Sequence, residues 1–281
     1  MELVFSTATA LAAAIQAKQV SALEMLEAHL AQIERHNPAL NAVVTLDAAG
    51  ARQRAQQADA ALARGEVWGP LHGVPFTLKD AHATAGMRTT TGFPNLANHV
   101  PQEDSTVTAR LKTAGGILVG KTNVAMLLAD PAQSDNPLFG HTNNPWNVAH
   151  TPGGSSGGAA AAVAAGMIPF DIGTGLAGSI RIPAHFCGLF GLKPTEQRVS
   201  LAGLLPGLSA PRSLRIMSCI GPIARSVADL ALLFAIIAGP DERDSEVQPV
   251  PIAEVPHLEL KQLRIAIAPT LANLPVATAI H

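Results

Sequence analysis

A run of small residues between positions 171 and 183 presents a single serine, Ser179, in a setting that suits nucleophilic chemistry. Small side chains allow a carbonyl group to approach the main chain closely. The successive N–H groups of Leu176, Ala177, Gly178 and Ser179 can then converge on a developing oxyanion, and removal of one such donor typically costs about 3–4 kcal/mol. The run therefore predicts Ser179 as a nucleophile beside an oxyanion hole.

A serine nucleophile needs a base, and no histidine lies in a motif beside Ser179. Lys79 ends the apolar run of residues 74–78, and strand alternation would send Lys79 and Asp80 to opposite faces. Burial without a counter-charge lowers a lysine pKa from about 10.4, and a neutral amine accepts a serine proton. Lys79 is therefore the candidate base. Its spacing alone fits a surface lysine at the end of a strand equally well.

Two shorter patterns match known motifs but lack the context that those motifs need. Residues 154–158 fit the Gly-x-Ser-x-Gly nucleophile elbow, yet residues 146–152 before them make a poor strand. Residues 115–122 fit the phosphate-binding loop, yet Ile117, Leu118 and Val119 favour a strand where that loop needs flexible backbone. The Gly/Ser run instead leads directly into an alanine-rich helix, which places backbone amides at a helix N-terminus.

The histidines show no spacing that would bind a metal ion. There is no His-x-His, no His-Glu-x-x-His and no pair of closely spaced cysteines. We therefore predict no metal site and treat the scattered histidines as structural: His72, His82, His141, His150 and His185.

Four stretches, taken in this order, resemble the amidase signature family, and the resemblance extends over most of the chain. They are Lys79-Asp80, Thr-Pro-Gly-Gly-Ser-Ser-Gly-Gly at 151–158, Gly-Ser-Ile-Arg-Ile-Pro at 178–183 and Gly-Leu-Phe-Gly-Leu-Lys-Pro-Thr at 188–195. The resemblance implies a Ser-Ser-Lys triad that hydrolyses amide-type C–N bonds through an acyl-enzyme. In that triad Lys79 is the base, Ser155 the bridging serine and Ser179 the nucleophile.

The same resemblance implies an α/β fold of the α/β/α amidase-signature type, with a mixed twisted sheet flanked by helices. It implies no metal and no organic cofactor, a small-molecule amide, anilide or carbamate (urethane) as substrate, and a possible homodimer. We expect Met126, Ser156 and Thr174 to contact substrate, and Arg181 to support the oxyanion loop. Two alternatives remain: an amidase-like subunit that has lost turnover, and an amidotransferase subunit that passes ammonia to a partner protein.

This sequence departs from the family pattern at four positions. Members usually have an acidic residue at Gly175, glycine at Ala177, glutamate at Met126 and glycine at Gln197. The change at Gly175 removes an expected partner of Arg181. The change at Ala177 is harmless if its φ is negative, and costs about 1 kcal/mol if its φ is positive.

Members of the family are also usually longer. We therefore expect a single domain over residues 1–281 that lacks the C-terminal part usual in the family.

Hydrophobic periodicity and turn residues predict alternating helices and strands that position these groups. A capping box at Ser21 and Glu24 begins the first clear helix, which should end before Pro38. The remaining predicted helices span residues 47–64, 105–114, 122–128, 159–166 and 230–238, and the predicted strands span 41–46, 74–79, 117–119, 167–172 and 263–268.

Composition excludes several classes of protein. The 281 residues carry a formal net charge of −2, which argues against a nucleic-acid or acidic-membrane partner. Hydrophobic residues make up 48% and charged residues 14%, which indicates a globular chain. The longest apolar runs are too short to cross a bilayer. Two cysteines fit a reducing compartment, so we expect a cytoplasmic protein.

Overall fold

A six-stranded mixed sheet forms the centre of the structure. The computed structural model describes residues 3–208 and 215–252, together with residues 259, 261, 263 and 264. The chain divides into two compact units, residues 1–250 and 251–281, and every element named below lies in the first unit. No helix in the described part of the chain has both the length and the apolar character needed to cross a bilayer.

The strand order places β2 and β4 side by side in the middle of the sheet. The order is β1-β3-β2-β4-β6-β5. Strand β2 pairs in parallel with both β3 and β4, and the other pairings are antiparallel. The predicted mixed sheet is therefore confirmed. The strands are β1 (Val43–Leu46), β2 (Pro75–Lys79), β3 (Ile117–Thr122), β4 (Phe170–Gly175), β5 (Phe190–Gly191) and β6 (Cys219–Ala224).

Most helices begin at a residue whose side chain caps the helix N-terminus. The predicted capping box is present, because Ser21 Oγ accepts from the Glu24 N–H and Glu24 accepts from the Ser21 N–H. Asp47, Ser105 and Ser226 cap later helices in the same way. The helices are α1 (Ala8–Gln16), α2 (Ala22–Leu40), α3 (Ala48–Ala63), α4 (Thr106–Thr113), α5 (Gly157–Ala164), α6 (Arg181–Phe186) and α7 (Val227–Ile237), with 3₁₀ turns at Leu3–Phe5, Pro94–Leu96 and Met126–Leu128.

Helix α5 packs tightly against the chain that follows β3, and its small residues make this possible. A Cβ atom at Gly158 would lie only 2.4 Å from the backbone nitrogen of Asn123. Ala159 to Ala162 of α5 are buried, as are all residues of β2, β4 and β6. Phe76 stacks on Phe170 across the sheet at 5.5 Å. Glycine and alanine in α5 thus bring the start of this helix close to the sheet.

The observed elements differ from the predicted ones in several places, and α6, β5 and β6 have no predicted counterpart. Helix α2 continues through Pro38 to Leu40. Asn41 ends the helix in a left-handed conformation, and the Asn41 N–H donates to the Asn37 carbonyl. The predicted helix over residues 122–128 is wrong. There the Asn123 side chain accepts from the Val124 N–H and from Asn136, and only the 3₁₀ turn follows.

Two further strands extend beyond their predicted ends. Strand β3 runs on to Thr122, so the residues that match a phosphate-binding loop lie largely in a strand, and β4 continues to Gly175. The last predicted strand, over residues 263–268, lies mostly outside the described residues.

We predict that Gln197→Gly stabilises the fold. Gln197 has φ of +60°, a left-handed conformation that costs an ordinary L-residue about 1–2 kcal/mol, part of which is offset by the greater chain entropy of glycine when unfolded. We expect the free energy of unfolding to rise by about 0.5–1 kcal/mol in urea denaturation. The exposed neighbour Glu196, whose φ is not positive, is the matched control, and Glu196→Gly should destabilise. Equal effects of the two substitutions would contradict the argument.

Candidate active site

The predicted triad residues lie at the edge of the sheet where the parallel strands β2 and β4 end. Lys79 is the last residue of β2, and Thr174 lies one residue before the end of β4. Ser155 and Ser156 directly precede α5, and Ser179 lies in the connection from β4 to α6. The carboxyl ends of parallel strands and a helix N-terminus thus meet at one place, which is where α/β proteins commonly bind ligands.

Lys79 is completely buried, and its amine contacts three hydroxyl groups. Its Nζ lies 2.7 Å from Ser155 Oγ, 2.9 Å from Ser156 Oγ and 2.7 Å from Thr174 Oγ1. Burial holds the pKa of Lys79 well below its ordinary value, and the nearby carboxylate of Asp171 opposes part of that change. A neutral amine has two N–H donors and one lone pair, so it can donate to two of these hydroxyls and accept a proton from the third. Lys79 is therefore a buried lysine with a lowered pKa and not a surface lysine at the end of a strand.

Asp80 does not contact the amine of Lys79. Its carboxylate accepts from the backbone N–H of Thr90 at 3.1 Å and from the Thr90 hydroxyl. The predicted separation of Lys79 from its nearest acidic neighbour is therefore present.

Asp171 is the acidic residue that acts on Lys79 from the adjacent strand. Its Oδ2 accepts from Thr77 Oγ1 at 2.6 Å and from Thr122 Oγ1 at 3.0 Å, while its buried Oδ1 has no hydrogen-bond partner in the described structure. Burial raises the pKa of Asp171 to about 6, although the hydrogen bonds from the two threonines favour its charged form. Sequence analysis missed Asp171. The signal in the sequence was an acidic residue in a predicted strand whose other residues are apolar or small.

Close packing against a neighbouring loop fixes the position of Ser155. The Gly154–Ser155 peptide bond is cis, and Gly153 has φ of +80°. A Cβ atom at Gly154 would lie 2.4 Å from the carbonyl oxygen of Gln133. Glycine is required at these positions because no side chain fits between the two segments.

The Ser155 and Ser156 hydroxyls both lie within hydrogen-bond distance of the Lys79 amine, but their other surroundings differ. Ser156 Oγ lies 3.4 Å from both the backbone N and the backbone O of Thr174, so it is tied to β4. Ser155 instead lines a cavity of about 220 Å³ that Ser179 also lines. No hydrogen bond joins Ser155 to Ser179 in the part of the chain that the structure describes.

The connection between β4 and α6 has the open backbone that an oxyanion hole needs. Over the described residues, the N–H groups of Leu176, Ala177, Gly178 and Ser179 have no protein acceptor. Gly178 has φ of +110°, whereas Ala177 is not among the residues with positive φ, so alanine there carries no left-handed strain. This backbone fits the predicted role of these amides.

The other predicted site residues occupy different positions. Thr174 lines the cavity and contacts Lys79, while Ser156 contacts Lys79 and β4. Met126 is 40% exposed and lies outside the cavity lining, because the 3₁₀ turn that begins with it brings the two following leucines there instead. Arg181 is exposed at the start of α6 and forms no ion pair within the described chain.

We compared the chain with protein-family models and with curated proteins. The Amidase family model matches residues 24–280. The A-type subunit of the glutamyl-tRNA(Gln) amidotransferase of Synechococcus sp. (strain CC9605) is 49% identical over 231 residues, which are 82% of this chain and 46% of that protein. The corresponding protein of Roseiflexus sp. (strain RS-1) is 44% identical over 257 residues, covering 90% of this chain and 51% of that protein. The chain thus spans about half the length of the curated relatives it matches.

Solved structures show the same fold at lower identity. The peptide amidase of Stenotrophomonas maltophilia has a TM-score of 0.80 and 34% identity, over 89% of this chain and 51% of that one. A bacterial aryl acylamidase of the amidase signature enzymes has a TM-score of 0.80 and 34% identity, over 88% of this chain and 50% of that one. The family model matches most of this chain, and the solved structures share its fold. The chain therefore belongs to the amidase signature family.

Proposed function

We propose that this protein hydrolyses amide-type C–N bonds, in amides, anilides or carbamates, through an acyl-enzyme on Ser179. The observation that carries the proposal is the contact of the buried Lys79 amine with Ser155, which lines the same cavity as Ser179. Burial without a carboxylate in contact favours the neutral amine, which is the form that accepts a proton.

In the acylation step the Ser179 proton passes to Ser155, and the Ser155 proton passes to Lys79. Ser179 Oγ forms a bond to the substrate carbonyl carbon, and the carbonyl electrons move onto oxygen, where the N–H groups of Leu176, Ala177, Gly178 and Ser179 stabilise the charge. The ammonium of Lys79 then returns its proton through Ser155 to the leaving nitrogen. The C–N bond breaks, and the amine leaves.

Deacylation uses the same groups in the reverse direction. Water attacks the acyl carbon while its proton passes to Ser155 and the Ser155 proton passes to Lys79, and the Lys79 ammonium later returns a proton through Ser155 to Ser179. The C–O bond to Ser179 breaks, and Ser179 recovers its proton. The net reaction consumes one amide and one water and yields one carboxylic acid and one amine.

An amidotransferase subunit is the second candidate, because relatives with this name are 44–49% identical to the chain. Its first half-reaction would be the same, with glutamine as the amide and ammonia as the leaving group. Hydrolysis of L-glutamine that depends on a partner chain would favour this candidate. A protein without turnover, the other alternative, would bind substrate but release no burst of product.

The cellular compartment and the oligomeric state of the protein are also proposals. The described cysteines, Cys187 and Cys219, are both buried and free, which supports a reducing compartment such as the cytoplasm. A homodimer remains a prediction from the family resemblance.

We predict that Ser179→Ala abolishes hydrolysis and labelling by a fluorophosphonate probe, with the adduct in the unchanged protein mapping to Ser179. Ser155→Ala should lower kcat by about 10²-fold or more, because the proton relay is lost. Ser156→Ala should cost only about fivefold, the worth of one hydrogen bond of about 1 kcal/mol. Steady-state kinetics with an anilide measure all three variants, with circular dichroism to show that each is folded. A larger loss in Ser156→Ala than in Ser155→Ala would assign the relay to Ser156.

We predict that kcat/KM rises with pH as Lys79 loses its proton, and that this limb lies well below the ordinary lysine pKa of 10.5. The Asp171 carboxylate favours the ammonium form, so Asp171→Asn lowers the pKa of Lys79 further and should move the limb to lower pH. Lys79→Arg should remove activity at every pH, because a guanidinium does not release its proton.

The control for the pH experiment is Glu66→Gln, which removes an exposed carboxylate paired with Arg64 and should leave the limb in place. A limb that moves to higher pH in Asp171→Asn, or does not move, would contradict the electrostatic argument.

A further inference from the structure

The cavity that Ser155 and Ser179 share is lined mainly by leucines. Leu127 and Leu128 contribute from the 3₁₀ turn, Leu176 from the oxyanion loop, and Leu204 and Leu205 from the segment before β6. The other described lining residues are small or carry hydroxyl or thiol groups, and none of the described lining residues is charged. The wall that a bound acyl group would meet beside Ser179 is therefore apolar.

Three of these leucines have a backbone conformation that leucine rarely adopts. The φ angles are +52° at Leu127, +61° at Leu128 and +54° at Leu205. Backbone hydrogen bonds hold each one: the N–H of Leu127 donates to Thr91, that of Leu128 to Ala125 and that of Leu205 to Ala81.

Glycine would adopt the same backbone conformation without strain, yet leucine occupies all three positions. Strained residues of this kind persist mainly at ligand-binding and catalytic sites. At these three positions the leucine side chains give the cavity an apolar surface that glycine would not supply.

The described cavity has room for one small group. Its volume is about 220 Å³. An apolar cavity of about 150 Å³ accommodates benzene, and sites for drug-sized ligands usually measure about 300–1,000 Å³. One aromatic ring or a short alkyl chain fits a cavity of about 220 Å³. Glutamine would place an ammonium and a carboxylate against this apolar wall, where none of the described lining residues offers a charged partner.

We propose that this cavity is an acyl pocket for amides of small apolar carboxylic acids, and that Leu127, Leu128 and Leu205 determine this selectivity. The inference rests on the proposed function, because it requires Ser179 to be the nucleophile. It adds the class of substrate and the residues that select it.

The test compares four p-nitroanilides that share one leaving group: acetyl, butyryl, phenylacetyl and γ-glutamyl. With the full 281-residue chain, kcat/KM for the butyryl or phenylacetyl compound should exceed that for acetyl by about tenfold or more, and γ-glutamyl should be the slowest. A γ-glutamyl rate equal to the phenylacetyl rate, or no preference over acetyl, would overturn the inference.

Labelling by a fluorophosphonate separates this inference from the function on which it rests. If the probe labels Ser179 but the four anilides show the wrong order, only the selectivity fails. If the probe labels no serine and no anilide is hydrolysed, the proposed function fails, and the acyl pocket fails with it.

Leu128→Gly and Leu205→Gly test the leucines directly, and Gln197→Gly is the matched control at a left-handed position outside the cavity lining. Each leucine variant should lower the ratio of phenylacetyl to acetyl kcat/KM by about tenfold, while the control keeps the ratio. Thermal unfolding shows whether each variant is folded. The asparagine variant at the same position, Leu128→Asn or Leu205→Asn, replaces a glycine variant that is not, since asparagine tolerates this backbone. An unchanged ratio in the folded leucine variants would refute their role.

Discussion

The structure depends on the burial of one amine without a carboxylate in contact with it. Lys79 ends a strand in the middle of the sheet, and its Nζ contacts only hydroxyl groups among the described residues. Each unit by which burial lowers a lysine pKa corresponds to about 1.36 kcal/mol, and the surrounding fold must supply this free energy. Asp171 on the adjacent strand limits the cost because its charge favours the ammonium. Burial and the Asp171 carboxylate thus act on the pKa of this amine in opposite directions, from residues on different strands.

Left-handed backbone has two opposite uses around this amine. In the Gly/Ser run and the oxyanion loop, Gly153 and Gly178 have positive φ where a side chain would collide with neighbouring atoms, such as the Ile182 side chain 2.6 Å from a Cβ built at Gly178. Around the cavity, leucines adopt positive φ although glycine would be less strained there. Glycine in the first group allows close packing, whereas leucine in the second supplies apolar surface at some cost in stability. Such exchanges of stability for activity are common at functional sites.

The family relationship and the cavity constrain function at different levels. Membership in the amidase signature family follows from the match over residues 24–280 and from the fold. The relatives named as amidotransferase subunits share up to 49% identity, yet the chain spans about half of their length. The described part of the cavity, with its leucines and its lack of charged side chains, bears on the substrate more directly than identity does. An acyl group is recognised by the atoms that it touches, and these can change without altering the triad.

The sequence by itself determined the features that depend on neighbouring residues. Side-chain caps such as Ser21 and Asp47 located helix starts, and the apolar run before Lys79 located β2. The triad positions were predicted from the resemblance of four motifs to the amidase signature family. Tertiary structure decided that Lys79 is buried, that Asp171 is its charged neighbour, and that Ser155 rather than Ser156 shares a cavity with Ser179. It also brought Leu205 beside residues about eighty positions earlier in the chain. Caps and periodicity act over a few residues, whereas burial, charge environment and cavity shape arise from contacts between distant segments that local pattern does not encode.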